Sequence, residues 1–170
     1  MRRRIVGMIL MVVTSVVISE TATCLEKNGL GFVVNTDKKV YKIGEPIRVG
    51  FSWTNVTESN LVIVNWRGPK GGVSASGDDP DRTYDFSVFY EGKERLDYHG
   101  EYIDGPRSSL TLKPRQTETR EYEITDVYSF SRPGRYVIRV TYNGFAYDEK
   151  NPARWRGKID HPAIEIAVRE

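Results

Sequence analysis

The chain has 170 residues, 25 Lys and Arg against 23 Asp and Glu, and one cysteine. One cysteine excludes an intramolecular disulfide, and the formal charge of +2 is too small to point to nucleic acid. The imbalance is also local. Arg2, Arg3 and Arg4 head the chain and Glu20 is the only acid before Cys24, so residues 24–170 carry basic and acidic side chains in equal number.

The first element in chain order is an apolar run from Ile5 to Ile18, broken by Gly7, Thr14 and Ser15. Small and polar residues follow, Ser19 to Thr23. A basic head, a short apolar core and a small-residue exit predict a secretory signal over 1–23. The run falls short of the roughly 20 apolar residues that span a bilayer. Cys24 stands where bacterial lipoproteins carry the cysteine that is lipidated. The preceding Thr21-Ala22-Thr23 matches the usual lipobox loosely. Ordinary cleavage, for example after Ser19, is the alternative and leaves Cys24 a spare thiol. The expected location is therefore exported: secreted, periplasmic or lipid-anchored in the cell envelope.

From residue 24 onward the dominant signal has period two, which places alternate side chains on opposite faces of a strand. Phe32 to Val34 opens the series. Ile47, Val49, Phe51 and Trp53 alternate with Arg48, Gly50 and Ser52. Leu61 to Val64 is continuous and fits a strand buried on both sides. Phe86, Val88 and Tyr90 come next, then Leu110 to Leu112, then Tyr122 and Ile124. Tyr136, Ile138, Val140 and Tyr142 follow, and Ile164, Ile166 and Val168 close the chain. Turn chemistry separates them: Lys42 to Pro46, Thr57 to Asn60, Tyr90 to Lys93 and Arg132-Pro133-Gly134. No stretch after Ile18 carries a helical stripe. The predicted fold is one all-β, immunoglobulin-like antiparallel sandwich over 24–170. Tyr136 is placed to act as a tyrosine corner beside Pro133-Gly134.

Several motifs in order carry a resemblance. Val40-Tyr41-Lys42-Ile43-Gly44-Glu45-Pro46-Ile47 fits Y-x-x-G-E-x-[IV], and the strand after it ends in Thr54-Asn55. Phe86 to Lys93 runs into a Gly-Lys turn, and Leu96 to Gly100 contains Y-x-G. Tyr128 to Tyr136 fits Y-x-F-x-x-P-G-x-Y. Residues 40–142 thereby resemble the non-catalytic sandwich region that precedes the zinc domain in deuterolysin-type (peptidyl-Lys) metalloendopeptidases. They resemble more distantly the bacterial intracellular proteinase inhibitor fold. Leu112-Lys113-Pro114 resembles the family's L-x-P-G turn, with Arg115 standing where the family has Gly. His-Glu-x-x-His is absent, and the only histidines are His99 and His161, so no peptidase activity is implied. The resemblance implies a protein partner, with a peptidase as the class.

Two long connections, Trp66 to Thr83 and Asn143 to Asp160, are the expected binding loops. Their aromatics with Tyr102 give the candidate binding residues Trp66, Tyr102, Phe145, Tyr147 and Trp155, since aromatics and Arg are enriched at hot spots. Trp155, which leads into the last strand, reads better as a packed lid on the sandwich edge, because Trp is usually highly buried. A row of these rings could instead face sugars, which makes a carbohydrate- or cell-wall-binding module the alternative. A further alternative is metal-assisted chemistry at Asp78, Asp79, Asp81 and Asp85. Their spacing does not match the EF-hand loop, no distant ligand can be named, and solvated charge is the plainer reading. No catalytic residue, metal site or cofactor is assigned. Asn55-Val56-Thr57 fits the glycosylation acceptor pattern, which a bacterial-looking signal makes irrelevant.

Overall fold

The computed structural model describes residues 24–65, 84–100, 108–144 and 151–170. The predicted signal over 1–23 lies outside them. Twelve strands are described, and no helix occurs among the described residues. They are β1 (Leu25–Lys27), β2 (Leu30–Thr36), β3 (Val40–Lys42), β4 (Arg48–Asn55), β5 (Leu61–Asn65), β6 (Tyr84–Tyr90), β7 (Glu94–Arg95), β8 (Ser108–Leu112), β9 (Thr117–Glu123), β10 (Gly134–Asn143), β11 (Lys158–Asp160) and β12 (Ile164–Arg169).

The strands form two main sheets. The first runs β1-β2-β4-β9. The second runs β3-β12-β10-β6-β7, with β11 also on β10. All pairings are antiparallel except β3 on β12, which is parallel. Period two decides which side chains meet. In β4, Val49, Phe51 and Trp53 are buried, whereas Gly50, Ser52 and Thr54 are half-exposed. In β10, Tyr136, Ile138, Val140 and Tyr142 turn inward. The two inward sets meet, with Phe51 of the first sheet 6.3 Å from Phe86 of the second and Phe32 5.6 Å from Tyr142. The molecule is a β-sandwich with its core between these sheets.

The chain passes from the first sheet to the second through Asp37–Lys39, and a polar clasp fixes that crossing. The buried Tyr41 hydroxyl donates to Asp37 at 2.6 Å and accepts the Lys38 amide. The same Asp37 oxygen accepts the Arg48 amide, at 3.3 Å. Burial, and the carboxylate it donates to, push the Tyr41 phenol up.

Two expectations are corrected. Leu61 to Val64 is not buried on both sides. It forms part of β5, whose strand partner is β8 in a two-stranded ribbon; Ile63 and Val64 are buried, but Leu61 and Val62 are half-exposed. The strand expected at Tyr122 and Ile124 begins earlier, at Thr117. Ile124 lies past its end, where its amide bonds the Ile47 carbonyl. β9 is written Thr-Glu-Thr-Arg-Glu-Tyr-Glu, and its inward Glu118 and Arg120 pair with each other at 3.3 Å. Inward charge of that kind is how an edge strand resists pairing with another chain, and it hides the strand from an apolar count.

Candidate functional site

A cleft of about 430 Å³ opens at the end of the sandwich where β4 begins. One wall is the turn from β3 into β4. The Glu45 amide bonds the Lys42 carbonyl at 3.0 Å, and Gly44 at the third position has φ +79°. That is a type II turn, which requires the left-handed conformation glycine adopts freely. Ile43 sits at the second position, its amide tied to the Arg169 carbonyl at 2.8 Å. Its side chain is 42% exposed, although the turn makes no demand for an apolar residue there. Glu45 reaches back to the Lys42 amide and pairs with Lys38. The Lys38 bond, then the Lys42 amide, hold its carboxyl below the usual range.

The other wall is the connection from β9 to β10, and burial makes it rigid. Ile124, Val127, Tyr128 and Phe130 all enter the core. The Tyr128 amide bonds the Ile124 carbonyl at 3.0 Å, and the Tyr128 hydroxyl donates to the Phe86 carbonyl at 3.0 Å. Burial pushes that phenol up. Beyond it, Tyr136 donates to the Arg132 carbonyl at 2.8 Å and Tyr90 to the Pro133 carbonyl at 3.0 Å. The expected tyrosine corner at Tyr136 is thus present, and it pins the wall. With the apolar residues of this stretch pulled inward, Thr125, Asp126, Ser129 and Ser131 are left facing the cleft.

Among the described residues the lining carries Glu45, Glu123 and Asp126 and no Lys, Arg or His. Two neighbouring cations, Arg48 and Arg132, pair with acids outside the lining. Arg132, next after Ser131, lies over the Tyr90 ring at 4.0 Å and bonds Glu94 at 2.7 Å. Arg48 faces Glu121 at 3.6 Å. Glu123 accepts the Thr125 hydroxyl at 2.8 Å. The result is an apolar strip of Ile43, Pro46 and Phe130 beside dispersed carboxylates. No three potential metal ligands converge among the described residues.

The residues expected to bind are placed differently. Trp155 is corrected: it is 2% exposed, stacked on Tyr142 at 5.1 Å and 9°, with its indole N–H donating to the Lys27 carbonyl at 2.8 Å. Its ring faces are in the core and present nothing to a ligand. Its segment is not a free loop from Asn151 onward. The Val62 amide bonds the Ala153 carbonyl, the Trp155 amide bonds the Val62 carbonyl, and β11 pairs with β10. Trp66, Tyr102, Phe145 and Tyr147 lie outside the described residues, as do Asp78, Asp79 and Asp81. Asp85 is exposed at the start of β6. Cys24 is exposed, its sulfur beside Gly31 on the outer side of the first sheet. His161 is built into the fold, its Nε2 accepting the Val34 amide at 3.1 Å. Asn55 is fully buried, so the acceptor pattern it heads is structural. The cleft itself was missed. Its one sequence signal is an apolar Ile43 in an otherwise polar turn.

No protein-family model matches the chain, and no curated protein matches it by sequence. Solved structures overlap it at low scores. An alkylpurine DNA glycosylase of Pseudomonas fluorescens, bound to DNA with an abasic-site analogue, has a TM-score of 0.40 and 13% identity over 84% of this chain and 31% of that one. A β-glucosidase of Erythrobacter marinus has 0.42 and 11% over 82% and 15%. The CARDB domain of a Pyrococcus furiosus protein, in complex with di-metal ions, has 0.40 and 10% over 82% and 91%. The chain thus spans under a third of the glycosylase and of the glucosidase. At these scores the overlaps establish no relationship, and nothing is carried over from them.

Proposed function

We propose that this chain is an exported, non-catalytic binding module of immunoglobulin-like type whose ligand is a protein partner. The observation that carries the reading is the cleft. Two connections, pinned by Tyr41, Tyr128 and Tyr136, hold a concave mixed surface on a rigid sandwich, which is how such scaffolds present binding residues. The Tyr136 corner supports the immunoglobulin-like assignment. The basic head and apolar run over 5–18 support export, and Cys24 offers a route to a lipid anchor. A peptidase is the proposed class of partner on the resemblance of residues 40–142 alone.

The test is capture from the source cell envelope with residues 24–170 as bait, read by mass spectrometry. Stoichiometric recovery of a protein, a peptidase above all, supports the reading. Recovery of glycan or wall fragments alone overturns it and shifts attention to the aromatic side chains of the long connections.

A further inference from the structure

We infer that His161 is an acid-released latch between the two sheets: its neutral ring caps the Val34 amide, and protonation frees the edge of β2 beyond the end of β1. Three observations carry it. First, the edge needs a cap. β1 covers β2 only from Leu30 to Phe32. Val34 lies two residues further on, so its amide points to the same edge where β1 has ended. Val34 is 2% exposed, and a buried amide left without an acceptor is costly. Second, the acceptor is an imidazole nitrogen. His161 Nε2 accepts that amide at 3.1 Å, and Nδ1 lies 2.8 Å from the Pro162 carbonyl. A ring that accepts at one nitrogen and faces a carbonyl with the other is neutral, with its proton on Nδ1. A second proton, on Nε2, aims a donor at a donor and the cap is lost. Third, the residue bridges the sandwich. β2 belongs to the first sheet, whereas His161 follows β11 and its own amide bonds the Val140 carbonyl of β10 in the second. The Phe32 ring meets the imidazole at 6.1 Å and 89°. His161 is half-buried, so solvent can deliver the proton.

The charged groups of the surrounding elements have other partners. β2 carries none from Leu30 to Thr36. Asp160, the residue before the latch, answers to the Thr141 hydroxyl and then to Lys158 and Lys27. Lys27 of β1 bonds the Lys158 carbonyl, and Glu26 is exposed. Arg139 of β10 lies over the Phe89 ring, and Arg135 pairs with Glu165 of β12. Asp37, past the end of β2, takes the Tyr41 hydroxyl, and Lys38 pairs with Glu45. The sign of the response follows. A histidine in an unfolded chain titrates near about 6.5. A fold that needs the neutral ring binds fewer protons than the unfolded chain around that pH. The stability the latch holds is therefore complete above about 6.5 and is lost as pH falls below it. That range lies above the one in which Asp160 and Glu45 titrate, so the two responses are separable. The latch belongs to the scaffold and acts whatever partner the module binds.

The test uses nuclear magnetic resonance on isotope-labelled protein purified after expression of the full chain. Ring nitrogen shifts report which nitrogen of His161 carries the proton, and hydrogen exchange of the Val34 amide reports the cap. Near neutral pH the proton should sit on Nδ1 and the Val34 amide should be protected. Between about pH 7.5 and pH 5, exchange corrected for its intrinsic pH dependence should quicken at least about tenfold, the scale of one lost hydrogen bond. The change should track protonation of the ring, while the Phe51 amide in the middle of the first sheet stays protected. His161→Gln keeps an acceptor that does not titrate, so its Val34 amide should stay protected throughout. His161→Phe removes the acceptor and should leave that amide fast at every pH. His99→Gln, at the exposed second histidine, should leave the response unchanged. A proton on Nε2 at neutral pH, Val34 protection that survives protonation of the ring, or the same acid response in His161→Gln overturns the inference. If His161→Phe fails to fold, the unmodified chain and the Gln variant decide between these outcomes.

Discussion

At the end of the sandwich where β4 finishes, a buried amide and a large ring are both consumed by the fold. Asn55 is fully buried and uses its whole hydrogen-bonding capacity. Its amide donates to the Ser59 and Leu112 carbonyls, and its oxygen accepts the Thr57 amide and hydroxyl. Trp155 closes the same end, stacked on Tyr142. At the other end, where β4 begins, Ile43 stands in solvent and the hydroxyls of Ser129 and Ser131 line open space. Both ends use aromatics, turns and short polar residues. What separates them is whether the side chains meet partners from a second element. The sealed end resists unfolding, and the open end is free to meet something else.

The comparison breaks first at Trp155. Replacing it by Ala removes a large buried ring and one hydrogen bond, so stability should fall by about 3–5 kcal/mol. Urea unfolding followed by circular dichroism measures this. A loss under about 1 kcal/mol would mean that this end is not sealed. The ring also explains Gly144, where a Cβ would collide with its carbons. Gly144→Ala should therefore destabilise too, by about 1–3 kcal/mol as an overpacked site. Next in size is Asn55→Ala. It strands the buried Leu112 carbonyl and the groups of Thr57 and Ser59, an expected cost of about 1–3 kcal/mol. A neutral result in the same unfolding assay would contradict the network.

Acid titrates the two ends in the same direction. Asp160, near the sealed end, accepts the Thr141 hydroxyl at 2.7 Å and faces Lys158 at 3.3 Å, and these partners hold its carboxyl below the ordinary value. Glu45 at the cleft is lowered by Lys38 and the Lys42 amide. A carboxyl lowered on folding adds stability above its unfolded pKa of about 4, and that stability is lost as pH falls through the folded value. The unfolding midpoint should therefore drop as pH falls below about 4. Asp160→Asn should flatten part of that slope, by less than about 1 kcal/mol because the pair is exposed. An unchanged slope would mean that the carboxyl gains nothing from Thr141 and Lys158.

The alternating strands and the Tyr136 corner were legible in the sequence, and the packing at the two ends was less so. Val49, Phe51 and Trp53 announce β4 because one face is buried and the other wet, and Tyr136 announces its corner through the neighbouring Pro133-Gly134. The three-residue strands β1, β3 and β11 are too short to show a period, and β9 carries charge where a core strand would carry Val or Ile. Trp155 was legible as a packed lid from its residue type, while Arg154 and Arg156 beside it kept a binding role open. Its burial is decided by Tyr142 on another strand, which no local pattern reports. The cleft is harder still. Ile43 and Ser131 lie far apart in the chain, and they meet only because β3 and β10 both pair with β12.

The smallest expected change in stability is the most informative about function. Ile43→Ser alters the second position of a turn whose conformation is set by Gly44 and by backbone bonds to Lys42 and Arg169. Neither depends on the side chain, and 42% of it already faces water. Stability should therefore change by no more than about 0.5 kcal/mol, as at other surface sites. A residue that can be replaced by Ser without cost is not held in place by folding. If Ile43→Ser instead destabilises the chain by about 2 kcal/mol or more, on the scale of a buried aliphatic side chain, its apolar character serves packing. The two ends would then differ only in degree, and the cleft would lose its claim to be a surface kept open for a partner.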